Sequence, residues 1–148
     1  MRKKLISDSM CLREYTVINA DLNGYGIMHG GRLLTLADET GYLAAKKHSG
    51  QHCLTLAVHR ARFFRPLFEG QALEFRSQAI LAGNTTLWVS VNATEQNAET
   101  PAMSAVFVFA AIDMERNLIP MPEIHAQNDE ERQLQQHMRK LRSQVREG

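Results

Sequence analysis

Apolar residues fall into five short runs of strand character and one longer run of helical period. Residues 12–19, LREYTVIN, mix Tyr, Thr, Val and Ile and predict a short first strand. No proline occurs from Arg32 to Lys47. Within it Arg32, Thr35, Glu39, Tyr42 and Lys46 recur at intervals of three and four, which predicts a helix with one polar stripe. His48-Ser49-Gly50 supplies the turn that ends it. A second strand runs from Cys53 to Phe64 and stops at Pro66 and Glu69-Gly70. Leu54, Leu56 and Val58 alternate along it, and the same face then carries Arg60 and Arg62. The expectation is a strand that leaves the core part-way and bears cations at its exposed end. Residues 72–82 predict a third strand, closed by the turn dipeptide Gly83-Asn84. Residues 85–95 set Leu87, Val89, Val91 and Ala93 against Thr86, Trp88, Ser90 and Asn92, a cleanly alternating fourth strand. AMSAVFVFAAI, residues 102–112, is apolar on both faces and predicts a central, covered strand.

Strand, helix and four strands on short turns make an α+β domain with a mostly antiparallel sheet and one long helix. One helix leaves the other face of such a sheet short of cover, so oligomerisation is expected. The segment after Pro122 differs in character. Asp129, Glu130 and Glu131 precede Arg139, Lys140, Arg142 and Arg146, the charge order that suits a helix dipole. Leu134, Met138, Leu141 and Val145 form a narrow apolar stripe. The stripe predicts a surface helix docked on the body or on a neighbouring subunit; a basic arm closing over a phosphorylated ligand is the alternative.

A length of 148 residues bounds the chain to one domain with a real core. A formal charge of +1 gives no global attraction to nucleic acid or anionic membrane. Cys11 and Cys53 have neither metal-type spacing nor the number for a disulfide framework. MRKKLIS is basic but no apolar segment follows, so no signal peptide is expected, and no apolar run approaches the ~20 residues of a membrane span. These features predict a cytoplasmic protein.

Candidate chemistry gathers between Asp21 and His48. A loop with Gly24, Gly26, Gly30 and Gly31 around Asn23 suits close approach of backbone to a ligand or partner. Asp38 lies about 100° from Glu39, the middle of the polar stripe, at the border where Gly31, Leu34, Gly41 and Ala45 project. It is either a boundary carboxylate held by a neighbouring Arg or N–H, or a partly desolvated functional base. No G-x-S-x-G elbow, Walker A loop or dinucleotide fingerprint occurs. His48 and His52 with Cys53 have a metal-like spacing but fall in a turn without further ligands, so no metal site is assigned. Arg60, Arg62 and Arg65 suit either the phosphates of a small molecule or a solvated strand end with ordinary ion pairs.

Asp21-x-Asn23-x-x-Gly26-x-x-His29-Gly30-Gly31, five residues and then Ala37-Asp38, resembles the start of the hot-dog fold acyl-CoA thioesterases. The bacterial short-chain acyl-CoA hydrolases and the brain acyl-CoA hydrolase type are nearest in pattern. Thr55-Leu56-Ala57-Val58, Phe63-x-x-Pro66-Leu67-x-x-Gly70 and Gly83-x-Thr85 extend the resemblance over residues 12–113. It implies a five-stranded antiparallel sheet wrapped around the central helix, a domain taken as residues 1–122; residues 123–148, outside the resemblance, are the tail whose charge order and stripe predict a helix. It also implies a homodimer paired edge to edge, able to assemble into tetramers or hexamers, with active sites at the dimer interface. The implied activity splits acyl-CoA into free acid and CoA without metal or organic cofactor, CoA entering only with the substrate. Asp38 takes the place of the catalytic carboxylate, as general base or nucleophile, and Asn23 that of its partner from the other subunit. His29, Gly30 and Gly31 take that of the substrate-binding helix start, where the glycine N–H groups meet the thioester oxygen. Asn84 and Thr85 of the turn are CoA-binding candidates, but Asn84 stands where relatives often have a basic residue, and Arg60, Arg62 and Arg65 are the candidates to supply that contact instead. His59 stands where many have Asp or Asn, and Tyr42 is a bulky choice after Gly41. Met28, Phe63 and Phe64 are candidates for the acyl or pantetheine tunnel, or for plain core. Rival readings are a hot-dog hydratase or dehydratase, which uses an Asp/His pair, and a non-enzymatic acyl-CoA binding or sensing module.

Overall fold

The computed structural model describes residues 3–147. Their order is α1 (Ile6–Ser9), β1 (Cys11–Thr16), α2 (Gly30–Ser49), β2 (His52–Phe63), β3 (Ala72–Ala82), β4 (Thr86–Glu95), β5 (Met103–Ile112) and α3 (Asp129–Glu147). The strands form one antiparallel sheet in the order β1-β3-β4-β5-β2, which leaves β1 and β2 as its edges. Helix α2 lies in the concave face and touches all five strands, the hot-dog arrangement expected above.

Local chemistry explains the helix and its reach. Gly50 adopts the left-handed conformation (φ 73°) and returns its N–H to the Lys46 carbonyl at 2.8 Å, a C-terminal cap that glycine makes without a Cβ penalty. Lys46, Lys47 and His48 place basic groups against the negative end of the dipole. Leu33, Leu36, Ala37, Thr40, Gly41, Ala44, Ala45 and His48 form the buried face. Gly41 sets the helix–sheet distance, because a Cβ there would stand 3.2 Å from Val91 Cγ2 and 3.3 Å from the Phe109 ring.

Strands β4 and β5 match their patterns. Leu87, Val89, Val91 and Ala93 line the core, and β5 is buried along both faces. The convex side is better covered than one helix allows. Trp88, Val108 and Ala110 are buried there, and α3 packs against β3 through Met138 and Gln135. The expected bare face is therefore corrected for this part of the sheet, because the tail returns to its own body. A register shift between Ala79 and Leu81 leaves Ile80 out of step, and the Gln135 amide donates to its carbonyl at 3.1 Å, an acceptor such a bulge would leave unpaired. Of the predicted stripe, Leu134 and Val145 turn outward, and Gln135 takes the inner place.

Strand β2 departs most from expectation. Leu54, Leu56 and Val58 are 46%, 53% and 38% exposed, so this set is not the core face. A register shift between Thr55 and Ala57 breaks the alternation, and a second between His59 and Arg62 holds Arg60 at φ 53°. Helix α1, four residues long, is too short to show a helical period in the sequence. It buries Ile6, and its Ser9 hydroxyl accepts the Ala79 N–H at 2.8 Å.

Candidate active site

The glycine loop is a built structure. Asn23 Oδ1 accepts the N–H groups of Tyr25 (2.9 Å) and Ile27 (3.1 Å), and its own N–H donates to the Ile27 carbonyl at 2.8 Å. Gly26, at φ 76°, completes this tight turn where a side chain would be strained. The carboxamide acceptor is thus spent on the loop, leaving the Nδ2 donor for another partner. Behind the loop, Asp21 is 4% exposed and accepts from Tyr15 Oη (2.6 Å), the Ile18 N–H (2.9 Å) and Arg32 Nε (3.0 Å). Burial alone would raise its pKa, but these donors outweigh burial and hold the carboxyl below its ordinary value. The Arg32 guanidinium also lies 5.5 Å from the centre of the Tyr15 ring. Because the Asp21 carbonyl accepts the His29 N–H at 2.8 Å, the triad fixes the loop to the start of α2. Asp21 was legible as part of the motif, but its Tyr15 and Arg32 partners were not, because residues 15, 21 and 32 share no period.

At that start the first two helical N–H groups, those of Gly30 and Gly31, have no acceptor among the described residues. They carry the positive end of the α2 dipole and no acidic side chain occupies the first turn. The space beside Gly31 is open, and a Cβ at Gly30 would touch the Phe63 ring at 3.6 Å. A groove of about 240 Å³ opens here between Met28, Leu33, Phe63, Phe64 and Leu67. His29 precedes it as an exposed N-cap residue whose side chain caps nothing. Met28 is buried, whereas Phe63 and Phe64 are about half exposed, so the two rings line a wall rather than the core.

Two helical turns further on, Asp38 is half-buried at the margin of α2, and its Oδ1 accepts a 2.6 Å hydrogen bond from the Thr55 hydroxyl of β2. The holder is neither an Arg nor a backbone N–H, the two expected for a boundary carboxylate. Thr55 was read only as a piece of strand; no spacing in the chain links it to Asp38. A second groove, of about 480 Å³, runs along this pair between Arg13, Glu39, Tyr42, Leu43, Cys53 and Leu54.

Residues 25–102 match the sequence profile of the thioesterase superfamily. The chain belongs to the thioesterase superfamily. Curated relatives include protein VdlD of Helicobacter pylori, 27% identical over 81% of this chain and 71% of that protein. The acyl-CoA thioester hydrolase YciA of Salmonella typhimurium is 27% identical over 70% of this chain and 83% of its own length. The acyl-CoA hydrolase of Staphylococcus aureus, solved with butyryl-CoA, CoA and CoA disulfide, superposes with a TM-score of 0.86 at 25% identity. That match covers 99% of this chain and 91% of that one. Three of its single alanine variants, at an asparagine, an aspartate and a threonine, superpose at 0.87–0.89.

The cations of this thioesterase are not equivalent. Arg65 grips Glu95 with two hydrogen bonds (2.9 and 2.6 Å) and also bonds Thr100, a pairing that first of all lowers the Glu95 pKa. Its guanidinium is committed to the fold, which weakens the reading of Arg65 as a CoA contact. Arg60 donates to Gln144 of α3 at 2.8 Å, and Arg62 is exposed on the edge strand. Asn84 is exposed in the β3–β4 turn, where its carbonyl accepts the Met121 N–H, and Thr85 lies beside it. His59 stacks flat on Trp88 at 5.4 Å. His48 is buried and paired with the Pro122 carbonyl at 2.8 Å, while His52 is exposed. Among the described residues no group of three or more potential ligands is placed to hold a metal.

Proposed function

We propose that this protein hydrolyses acyl-CoA thioesters, with Asp38 as the catalytic carboxylate. The observation that carries the reading is the Thr55–Asp38 hydrogen bond, which aims a half-buried carboxylate into a groove on the unpaired edge strand. The staphylococcal variants support it. Their asparagine, aspartate and threonine lie fifteen and then seventeen positions apart, the spacing of Asn23, Asp38 and Thr55 in this chain. One further residue thereby joins the candidates: Thr55, as the group that positions Asp38.

The spacing along α2 supports a site completed by two copies. Gly30 and Asp38 are eight residues apart on one helix, an axial separation of about 12 Å. A thioester carbonyl needs its oxyanion donors and its nucleophile or base within about 3 Å, so one helix cannot supply both. An antiparallel pairing of two β2 edges brings the Asp38 groove of one copy against the Gly30 groove of the other, because these grooves adjoin opposite ends of β2. The exposed apolar residues Leu54, Leu56 and Phe63 are what such a pairing covers. The working site is then Asp38 and Thr55 of one copy with Asn23, Gly30 and Gly31 of the second. Asp38 deprotonates water or attacks the thioester, the paired N–H groups hold the oxyanion, and the free Asn23 Nδ2 donor orients water or substrate. Arg62, with Arg60, is the cation left to meet the CoA phosphates.

Thiol release from a panel of acyl-CoAs tests the reading. Asp38→Ala should fold normally and lose about 10²–10⁴ in rate. A folded variant that keeps its rate removes Asp38 from the chemistry. Binding of acyl-CoA without thiol release by the unsubstituted protein favours a binding module instead.

A further inference from the structure

We propose that Arg142 of α3 and the β3–β4 turn form an anion site that takes a phosphate from the nucleotide end of the substrate. The inference rests on the hydrolase reading and adds a residue that lies beyond the 25–102 match to the superfamily. The turn is a fixed structure. The Gly83 N–H donates to the Thr86 carbonyl at 2.8 Å, and the Asn84 carbonyl accepts the Met121 N–H at 2.8 Å. The next two N–H groups, those of Asn84 and Thr85, have no acceptor among the described residues, and the Thr85 hydroxyl has no partner there. Successive unpaired N–H groups on a fixed turn are donors suited to phosphate oxygens. Arg142 faces them: its Nη1 would stand 3.8 Å from a Cβ on Gly83. Its guanidinium is half-buried and has no carboxylate partner among the described residues. Burial, and then the neighbouring Arg146 and Arg139 charges, hold its pKa below the ordinary arginine value. Three cations thus crowd together with no anion between them, and a phosphate held by the guanidinium fork and the turn would relieve that repulsion.

Strand register places this turn near Asp38 of the same copy. Thr55, which holds Asp38, pairs with Phe109, and Phe109 pairs with Leu87. The turn just before β4 therefore lies two strand spacings, about 10 Å, from Thr55, which is shorter than an extended pantetheine arm. Arg62 of that copy pairs with Ser104, toward the other end of the sheet, and comes to this end only through the antiparallel pairing of a second copy. Arg142 is thus a cation that each copy brings to its own Asp38 end. The docked surface helix and the basic arm over a phosphorylated ligand, the two readings of the tail, become one: Met138 and Gln135 dock it, and Arg142 faces the turn.

Butyryl-CoA and butyryl-pantetheine, which share the thioester but not the phosphates, give the test. Arg142→Gln keeps most of the side-chain stem. It should raise KM for butyryl-CoA with little change in kcat, and lower the kcat/KM ratio of the CoA over the pantetheine substrate about tenfold or more, the effect of losing one hydrogen bond to a charged group. Lys140→Gln removes the same charge from an exposed position of α3 and should shift that ratio far less. An equal fall in the two variants would mean diffuse attraction and overturns the site, as does an Arg142→Gln protein with the parent ratio. Calorimetric titration with CoA and with inorganic phosphate separates this inference from the hydrolase reading. Weaker CoA binding by Arg142→Gln, with no thiol released by the parent from either thioester, keeps the anion site and removes the hydrolase. Equal CoA binding by parent and variant overturns the inference, and so does a variant that loses inorganic phosphate but not CoA.

Discussion

Two aspartates of the same motif are used in opposite ways. Asp21 is surrounded by donors and is a fixed charge of the fold, whereas Asp38 keeps one oxygen free toward a groove. The Asp21 pKa is depressed in the folded state, so its contribution to stability is full above the ordinary carboxyl value. That contribution is lost as pH falls below it and through the depressed value. Asp21→Asn should lower stability at neutral pH by about 1–3 kcal/mol, because the buried Tyr15 and Ile18 donors lose a charged acceptor while Arg32, 38% exposed, stays solvated. It should also flatten the acid limb of stability below about pH 4. Urea melts between pH 3 and 7 measure both. An unchanged acid limb in the variant would mean that other carboxyls govern acid unfolding. His48 adds an independent slope. Burial lowers its pKa, so the unfolded chain protonates first and stability declines as pH drops below the ordinary histidine value.

At the scale of elements, α2 carries the site and its seat is set by one missing methyl group. Replacing glycine by alanine inside a helix ordinarily gains up to about 1 kcal/mol. Overpacking a filled core costs about 1–3 kcal/mol. The added Cβ of Gly41→Ala would press on Val91 and Phe109, both fully buried and unable to yield, so the second effect wins. The variant should melt lower than the parent, and any outward shift of α2 should weaken the Thr55–Asp38 contact and reduce turnover. A Tm equal to or above the parent's would show that the sheet has more slack than these distances imply. The same scale explains β2: its bulges tear an apparent alternation apart and turn apolar residues toward an unpaired edge.

The whole molecule decides where catalysis can occur. If each site draws Asp38 from one copy and the glycine loop from the second, Asp38→Ala and Asn23→Ala proteins are each inactive alone. Refolded together, they form mixed dimers with one intact site, so thiol release should rise well above that of either variant. Were both residues supplied by one copy, the mixed dimer would hold two damaged sites and mixing would restore nothing. Among the described residues no helix is long and apolar enough to cross a membrane.

Strand order along the chain, the central helix, the covered β5 and the amphipathic tail were all written in local periodicity, because burial on one face selects residues at fixed spacing. The loop-and-helix motif likewise singles out Asn23, Gly30, Gly31 and Asp38 as candidates. Tertiary structure alone decided what holds them. Thr55 meets Asp38 across two elements, Tyr15 and Arg32 converge on Asp21 from a strand and a helix, and Gln135 answers a bulge fifty-five residues away. It also reversed the face read for β2 and tied Arg65 to Glu95. Such contacts join residues with no common period, and a bulge shifts alternation without leaving a residue type to mark it.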